Sequence, residues 1–188
     1  MAITINEINS GMGLLINGEV FTVTEFSHVK PGKGSAFVRV KLKSLRTENV
    51  IERTFKSADK LDDVYLENKE LQYTYRAGDT LHFMDQEHFE EVTLTAGQLG
   101  EALKYLQENL TVTAIYFNNK FQKVLIPTFI IANIIETEPG FKGDTSRAGT
   151  KPAIIDTGLS IQVPLFINKG DWVKVDTRVG QYVERVQK

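Results

Sequence analysis

Short β-type runs separated by turn residues dominate the sequence and limit the folds that the chain can adopt. Runs such as Val50–Lys56 and Thr111–Phe117 mix β-branched or aromatic residues with polar ones at a period near two. Gly18 and the segment 31–34 punctuate them, and Asn118-Asn119 is a two-residue hairpin signal of the primed-turn type. Many short strands at regular spacing favour small β-barrels over a parallel sheet with helical crossovers. The remaining predicted strands are Val20–Phe26, Ala36–Lys43, Leu71–Arg76, Thr80–Met84, Phe89–Leu94, Lys120–Ile126, Phe129–Thr137, Ala153–Asp156, Ser160–Val163, Trp172–Thr177 and Gln181–Val186.

One helix is predicted, directly after the run that ends at Leu94. Thr95 and Gln98 form a capping-box pattern, and leucines follow at helical spacing from Leu99 to Leu110. Two glycines inside this segment weaken the helix, so we expect it to be short.

The predicted fold class is therefore all-β, with three small barrels in sequence. Breaks near Asp62-Asp63 and at Pro127 divide the chain into residues 1–64, 65–127 and 128–188. Each part has the size of an SH3-like or OB-type barrel.

Composition excludes several function classes. The chain has no cysteine, which excludes a disulfide scaffold, a thiolate metal site and a cysteine nucleophile. The most apolar stretch, Leu125–Ile135, is too short to span a bilayer, and no basic residue precedes Lys30, as one would in a signal peptide. We therefore expect a cytoplasmic protein that has no membrane partner.

The search for an active site finds no convincing candidate. Motifs for a nucleophilic serine, a nucleotide-binding loop or a dinucleotide fold are absent from the sequence. His82, Asp85 and His88 have a spacing that a metal site could use, which leaves a metal-dependent enzyme as an alternative. We favour a surface hairpin with two solvated imidazoles, and we predict no catalytic residue, metal or cofactor.

A basic segment is the strongest functional signal in the sequence. Positions 26–47 contain six Lys or Arg and no acidic residue, although the whole chain has a net charge of −2. On an extended strand Arg39, Lys41 and Lys43 share one face at intervals of about 6.6 Å, while the opposite face is apolar. Such a row of cations is suited to a phosphate backbone, and the alternative is a solvated face that keeps the protein soluble.

The loop that precedes this strand is also basic and contains Lys30 and Lys33. Pro31 fixes φ, and Gly32 and Gly34 allow tight curvature on both sides of Lys33. This geometry predicts that Lys33 projects from the tip of a hairpin.

Three separated motifs give the chain a specific resemblance. They are H-V-K-P-G-K-G-S-A-F-V-R-V-K-L-K-S-L at 28–45, E-T-E-P-G-F-K-G-D-T-S-R-A-G-T-K-P-A at 136–153, and a stretch at 158–183 that contains Q-V-P-L-F and G-D-W-V-K-V-D-T-R-V-G-Q-Y-V. In order and in length, the chain resembles bacterial elongation factor P along its whole sequence.

The resemblance implies an L-shaped, tRNA-like protein of a KOW/SH3-like barrel followed by two OB-type barrels. It implies binding to the ribosome between the peptidyl-tRNA and exit sites, and relief of stalling at consecutive prolines. Its partners would be the ribosome, ribosomal RNA and peptidyl-tRNA, with no DNA. Lys33 would reach the CCA end of the peptidyl-tRNA, while Lys30, Arg39, Lys41 and Lys43 would hold RNA phosphates.

Two further roles follow from the resemblance, and two questions stay open. Gly143, Asp144 and Thr145 correspond to a loop that approaches the small subunit and the exit-site codon. Lys33 would be the target of a lysine-modifying enzyme, and the sequence does not decide between β-lysine, an aminopentanol group and no modification. A generic barrel-type RNA-binding module that acts outside the translating ribosome remains the alternative function.

Overall fold

The protein is described by a computed structural model that covers residues 2–30, 32, 35–139 and 149–187. Within these residues the chain forms three sheets, and helical structure is confined to three short segments. They are the 3₁₀ helices Ile5–Glu7 and Gly100–Tyr105 and the α-helix α1 (Ala96–Leu99). The prediction of an all-β protein made of small barrels is confirmed.

The first sheet has six strands. They are β1 (Ala2–Ile3), β2 (Gly13–Ile16), β3 (Glu19–Val29), β4 (Phe37–Ser44), β5 (Val50–Lys56) and β6 (Leu61–Val64). Their order in the sheet is β1-β6-β2-β3-β4-β5. One apolar cluster fills its inner side, where Leu14, Val38 and Leu42 are fully buried. The break expected near Asp62-Asp63 falls inside β6, because Asp62 pairs with both Ala2 and Leu15.

The second sheet has five strands and contains the predicted hairpin turn. They are β7 (Glu67–Ala77), β8 (Thr80–Asp85), β9 (Glu91–Thr95), β10 (Thr111–Phe117) and β11 (Lys120–Leu125). Their order is β11-β10-β7-β8-β9. Asn118 and Asn119 join β10 to β11 with φ values of 49° and 59°, which confirms a primed turn.

The predicted helix is confirmed and is short. The Gln98 N–H donates to Thr95 Oγ1 at 3.3 Å, and the Thr95 N–H donates to Gln98 Oε1 at 2.8 Å. This capping box begins α1, and the helix ends at Leu99, where Gly100 with a φ of 54° is the C-cap. The leucines at 106 and 110 lie beyond the helical segments.

The third sheet also has five strands. They are β12 (Phe129–Thr137), β13 (Thr150–Ile155), β14 (Ser160–Pro164), β15 (Trp172–Asp176) and β16 (Gln181–Val186). Their order is β14-β13-β12-β15-β16. Its core is mostly β-branched, and Ile134, Ile155 and Ile167 are fully buried.

Contacts divide the chain into two compact units. The first contains residues 1–68 and 115–123, and the second contains residues 69–114 and 124–188. In the first unit a small apolar cluster joins Val20 and Leu45 to Ile115 at the end of β10. The division at residues 64 and 127 stays a prediction. No helix among the described residues is both long and apolar enough to cross a membrane.

Candidate nucleic-acid interface

The two faces of β4 have opposite chemical character, and both result from strict alternation along the strand. Val38, Val40 and Leu42 are fully buried in the first core. Arg39, Lys41 and Lys43 lie on the other face, where 41–56% of each side chain is exposed. Successive side chains of a strand point to opposite sides, so the three cations form a row on the outer face.

Each cation of this row is paired with a carboxylate from a neighbouring segment. Arg39 Nε lies 3.3 Å from Glu52 Oε1, and Lys41 Nζ donates to Glu25 Oε2 at 2.7 Å. Lys41 is also in register with both Glu25 on β3 and Glu52 on β5. The hydrogen bond and the charge of Glu25 raise the pKa of Lys41, so its ammonium stays charged. The outer face of the sheet therefore carries positive and negative side chains in alternation.

A β-bulge in β3 brings Glu25 to this position. The pairing shifts between Val23, which faces Leu42, and Glu25, which faces Lys41, so that one extra residue is accommodated at Thr24. The Thr24 hydroxyl donates to the Lys41 carbonyl oxygen at 3.2 Å. Because a shift of one residue exchanges the two faces of a strand, the bulge turns Glu25 outward.

A third carboxylate, that of Glu48, lies at the end of the row. Glu48 contacts Lys43 Nζ at 3.2 Å and also accepts a hydrogen bond from Lys123 Nζ. The hydrogen bond from Lys123 is the largest of several effects that lower the pKa of Glu48, and the pair with Lys43 adds to it. The sequence carries no signal for Glu25, Glu48 and Glu52, because they lie outside the acid-free segment and meet its cations only in the folded sheet.

The β3–β4 hairpin extends toward the predicted lysine loop. Residues 24–28 of β3 are exposed, and the rings of Phe26 and His28 meet edge-on with centroids 5.6 Å apart. Lys30 and Gly32 are exposed at the far end of the hairpin. Three loop residues, Pro31, Lys33 and Gly34, lie outside the described residues, as do Gly143, Asp144 and Thr145 of the third-domain loop.

The structure does not bring His82, Asp85 and His88 together as metal ligands. His82 lies within β8, its ring is stacked on Tyr75 at 4.2 Å, and its Nδ1 contacts Glu91 Oε1 at 2.5 Å. Only 17% of its side chain is exposed, so the prediction of a solvated imidazole is wrong for His82. His88 is exposed, but it lies in the turn after β8 instead of at the start of β9.

Asp85 ends β8 and has a structural role. It is buried on the opposite face of the strand from His82, and its Oδ1 accepts the backbone N–H groups of Glu87 and His88. These hydrogen bonds lower the pKa of Asp85. Across the described ranges, no group of three or more His, Asp or Glu residues is placed to hold a metal ion.

The three curled sheets and the charged hairpin define a class: a nearly all-β protein of KOW-like and OB-type barrels. Family models match almost the whole chain. Elongation factor P (EF-P) KOW-like domain matches residues 4–61, Elongation factor P (EF-P) OB domain matches residues 66–124, and Elongation factor P, C-terminal matches residues 130–185. The chain belongs to the elongation factor P family, and it is a translation elongation factor.

Individual relatives agree with this assignment. The chain is 48% identical over 183 residues to Elongation factor P of Moorella thermoacetica, which covers 97% of this chain and 99% of the relative. It is 49% identical to Elongation factor P of Microcystis aeruginosa over the same shares of both chains. The relatives are named as elongation factors, a class distinct from classical enzymes.

Solved structures show the fold at greater evolutionary distance. Eukaryotic translation initiation factor 5A from Methanococcus jannaschii aligns with a TM-score of 0.52 and 21% identity. The alignment covers 66% of this chain and 94% of that structure. At this identity the likeness supports the fold alone.

Proposed function

We propose that this elongation factor binds the ribosome between the peptidyl-tRNA and exit sites and stimulates peptide-bond formation where consecutive prolines stall synthesis. The observation that carries the proposal is the exposed cationic face of β4, on a hairpin whose far end leads into the Lys33 loop. Membership of the elongation factor P family supports the ribosome as the partner. The protein acts in the cytoplasm.

The ion pairs on β4 are compatible with RNA binding because they are exposed. A surface ion pair has a small net free energy, so a phosphate group can replace a carboxylate as the partner of Arg39, Lys41 or Lys43. Before that exchange, Glu25 and Glu52 hold the cationic side chains in position along the strand. Binding of this kind weakens as the salt concentration rises, because each phosphate contact releases counterions.

The factor accelerates the reaction by positioning and donates no proton of its own. Proline is a poor substrate for peptide-bond formation because its ring restricts φ and its nitrogen is secondary. Lys30 and the β4 cations hold phosphates of the peptidyl-tRNA, and Lys33, lengthened by a lysine-modifying enzyme, contacts its CCA end. Ordering of the reacting groups alone can lower the barrier substantially. Gly143, Asp144 and Thr145 contact the small subunit at the exit-site codon.

The test is the substitution K33A in a purified translation system. We expect K33A to lose the stimulation of a message with three consecutive prolines while it still sediments with ribosomes. K60A is the matched control, since Lys60 is an exposed lysine of the same unit. Equal stimulation by K33A and the wild type would contradict the proposal. If tRNA added at the exit site fails to compete with the protein, the generic RNA-binding module becomes the better function.

A further inference from the structure

A second cationic site lies in the first unit, away from the outer face of β4. It is a cavity of about 490 Å³ next to the β2–β3 turn, the β4–β5 turn and the β10–β11 hairpin. We call it the Arg46 pocket, and the lining residues that matter here are Asn17, Arg46, Phe117, Asn118, Lys120 and Gln122. All of them belong to the same compact unit.

The walls of the Arg46 pocket are fixed by packing and by backbone hydrogen bonds. Leu45 is buried with Val20 and Ile115, and Phe117 packs against this cluster. The Leu45 N–H donates to the Val20 carbonyl oxygen at 3.0 Å, and the Ser44 N–H donates to the Asn49 carbonyl oxygen at 2.9 Å. Arg46 therefore projects from an anchored turn, so the pocket is formed before any ligand binds.

The two cations of the pocket differ from those on β4 in their partners. Neither Arg46 nor Lys120 forms an ion pair with a carboxylate in the part of the chain that the structure describes. The nearby Glu48 is already held by Lys43 and Lys123. Glu19, which also lines the cavity, accepts the Ser44 hydroxyl at 2.6 Å. Arg46 and Lys120 are thus available to an anion without displacing an internal partner.

The other lining groups suit a nucleotide better than a bare anion. Asn17, Asn118 and Gln122 supply amide donors and acceptors, which pair with the edges of a base or with ribose hydroxyls. The half-buried Phe117 ring supplies an apolar surface on which a base can stack. We propose that the Arg46 pocket binds a phosphate-bearing ribonucleotide, with Arg46 and Lys120 on the phosphate.

The pocket lies at the opposite end of β4 from the lysine loop. The strand runs from Phe37 near the loop to Ser44 beside the pocket, which is roughly 23 Å at the rise of an extended strand. The site rests on the proposed function, because it would give the bound RNA a second anchor at this distance from the loop. The β4 cations between the two ends would hold the intervening phosphates.

The test compares R46A/K120A with the wild type in sedimentation with ribosomes at several salt concentrations. Both side chains are exposed, so the variant should keep the wild-type melting temperature. We expect a roughly tenfold loss of affinity and a salt slope that is smaller by about 0.7, because the contact with one phosphate is removed. K60A/K169A is the matched control, since it removes the same charge from exposed positions elsewhere, and it should bind like the wild type.

A second measurement separates a nucleotide in an RNA chain from a free one. ¹⁵N-labelled protein is titrated with adenosine 5′-monophosphate and, separately, with inorganic phosphate. Shifts of the Asn17, Gly18 and Asn118 amide signals that R46A/K120A abolishes would support a site for the free nucleotide. Lost ribosome affinity without such shifts would support a site for RNA alone.

The two proposals fail in different ways. Unchanged ribosome binding by R46A/K120A, together with no shift on addition of the nucleotide, would overturn the Arg46 pocket and leave the Lys33 proposal intact. If the wild type itself does not sediment with ribosomes, the proposed function fails, and the nucleotide titration alone decides for or against the pocket.

Discussion

Glu25 on β3 and Glu52 on β5 pair with the cations of β4, and we predict that removal of these two carboxylates strengthens RNA binding. Glu52 forms an ion pair with Arg39, and Glu25 forms one with Lys41. Both carboxylates repel any phosphate group that approaches these cations. The variant E25Q/E52Q lacks both carboxylate charges and keeps Arg39 and Lys41 in place. The net charge of the outer face of the sheet is therefore more positive by two units in the variant.

The size of the effect follows from the geometry. Lys41 Nζ lies 2.7 Å from Glu25 Oε2. A phosphate bound to the same ammonium would therefore lie about 5 Å from the carboxylate. In water, repulsion between two unit charges at this distance changes a binding constant roughly fourfold. For both carboxylates, screened at moderate ionic strength, we expect affinity to rise about five- to tenfold.

The assay is ribosome binding of E25Q/E52Q at several salt concentrations. A label can be attached through one introduced cysteine, because the natural chain has none. The matched control is E101Q/E184Q, which frees two lysines from exposed ion pairs in the second unit. We expect the control to bind like the wild type. Unchanged or weaker binding by E25Q/E52Q at low salt would refute the view that the β4 cations contact phosphate.

Three further predictions concern stability. Hydrogen bonds from the backbone N–H groups of Glu87 and His88 lower the pKa of Asp85. The stabilisation of the fold by the ionised carboxylate is therefore present at neutral pH and is lost as the pH falls through the lowered pKa of the folded state. D85A should thus lower the free energy of unfolding by about 1–3 kcal/mol at pH 7 and by less at pH 3, as urea titrations measure. A Cβ at Gly13 would lie 2.7 Å from Val64 Cγ2 and 2.9 Å from its carbonyl oxygen, so G13A should cost about 1–3 kcal/mol in thermal unfolding. N119V should cost about 1–2 kcal/mol because Asn119 has a φ of 59°, and N119G should retain wild-type stability in the same measurement.

The fold could be predicted where local signals determine it. The bounds of β5, β10, β12 and β16 agree with the prediction, and the asparagine turn and the capping box were visible in single dipeptide or tetrapeptide patterns. The strands β1, β2 and β6 were missed. In β6 the acidic pair 62–63 resembles a linker, and it becomes a strand only through pairing with β1 and β2. Local composition carries no information about such distant partners.

The candidate site could also be predicted only where local sequence signals determine it. Alternation along one strand was enough to predict that Arg39, Lys41 and Lys43 share an exposed face. Their carboxylate partners depend on the register of three strands and on the bulge at Thr24, which no periodicity reveals. His82 shows the same limit, because its stacking on Tyr75 joins two different strands.

The first unit contains residues 115–123 as well as residues 1–68, and this has a consequence for the folding of the protein during synthesis. Ile115 completes the cluster around Val20 and Leu45, although residues 69–114 of the other unit separate it from them along the chain. During synthesis this cluster is therefore completed only after Ile115 has left the exit tunnel, although the core around Leu14, Val38 and Leu42 uses residues of the amino-terminal part alone. A fragment that stops at residue 68 would expose Val20 and Leu45 to water and should be less stable than the same residues in the full chain.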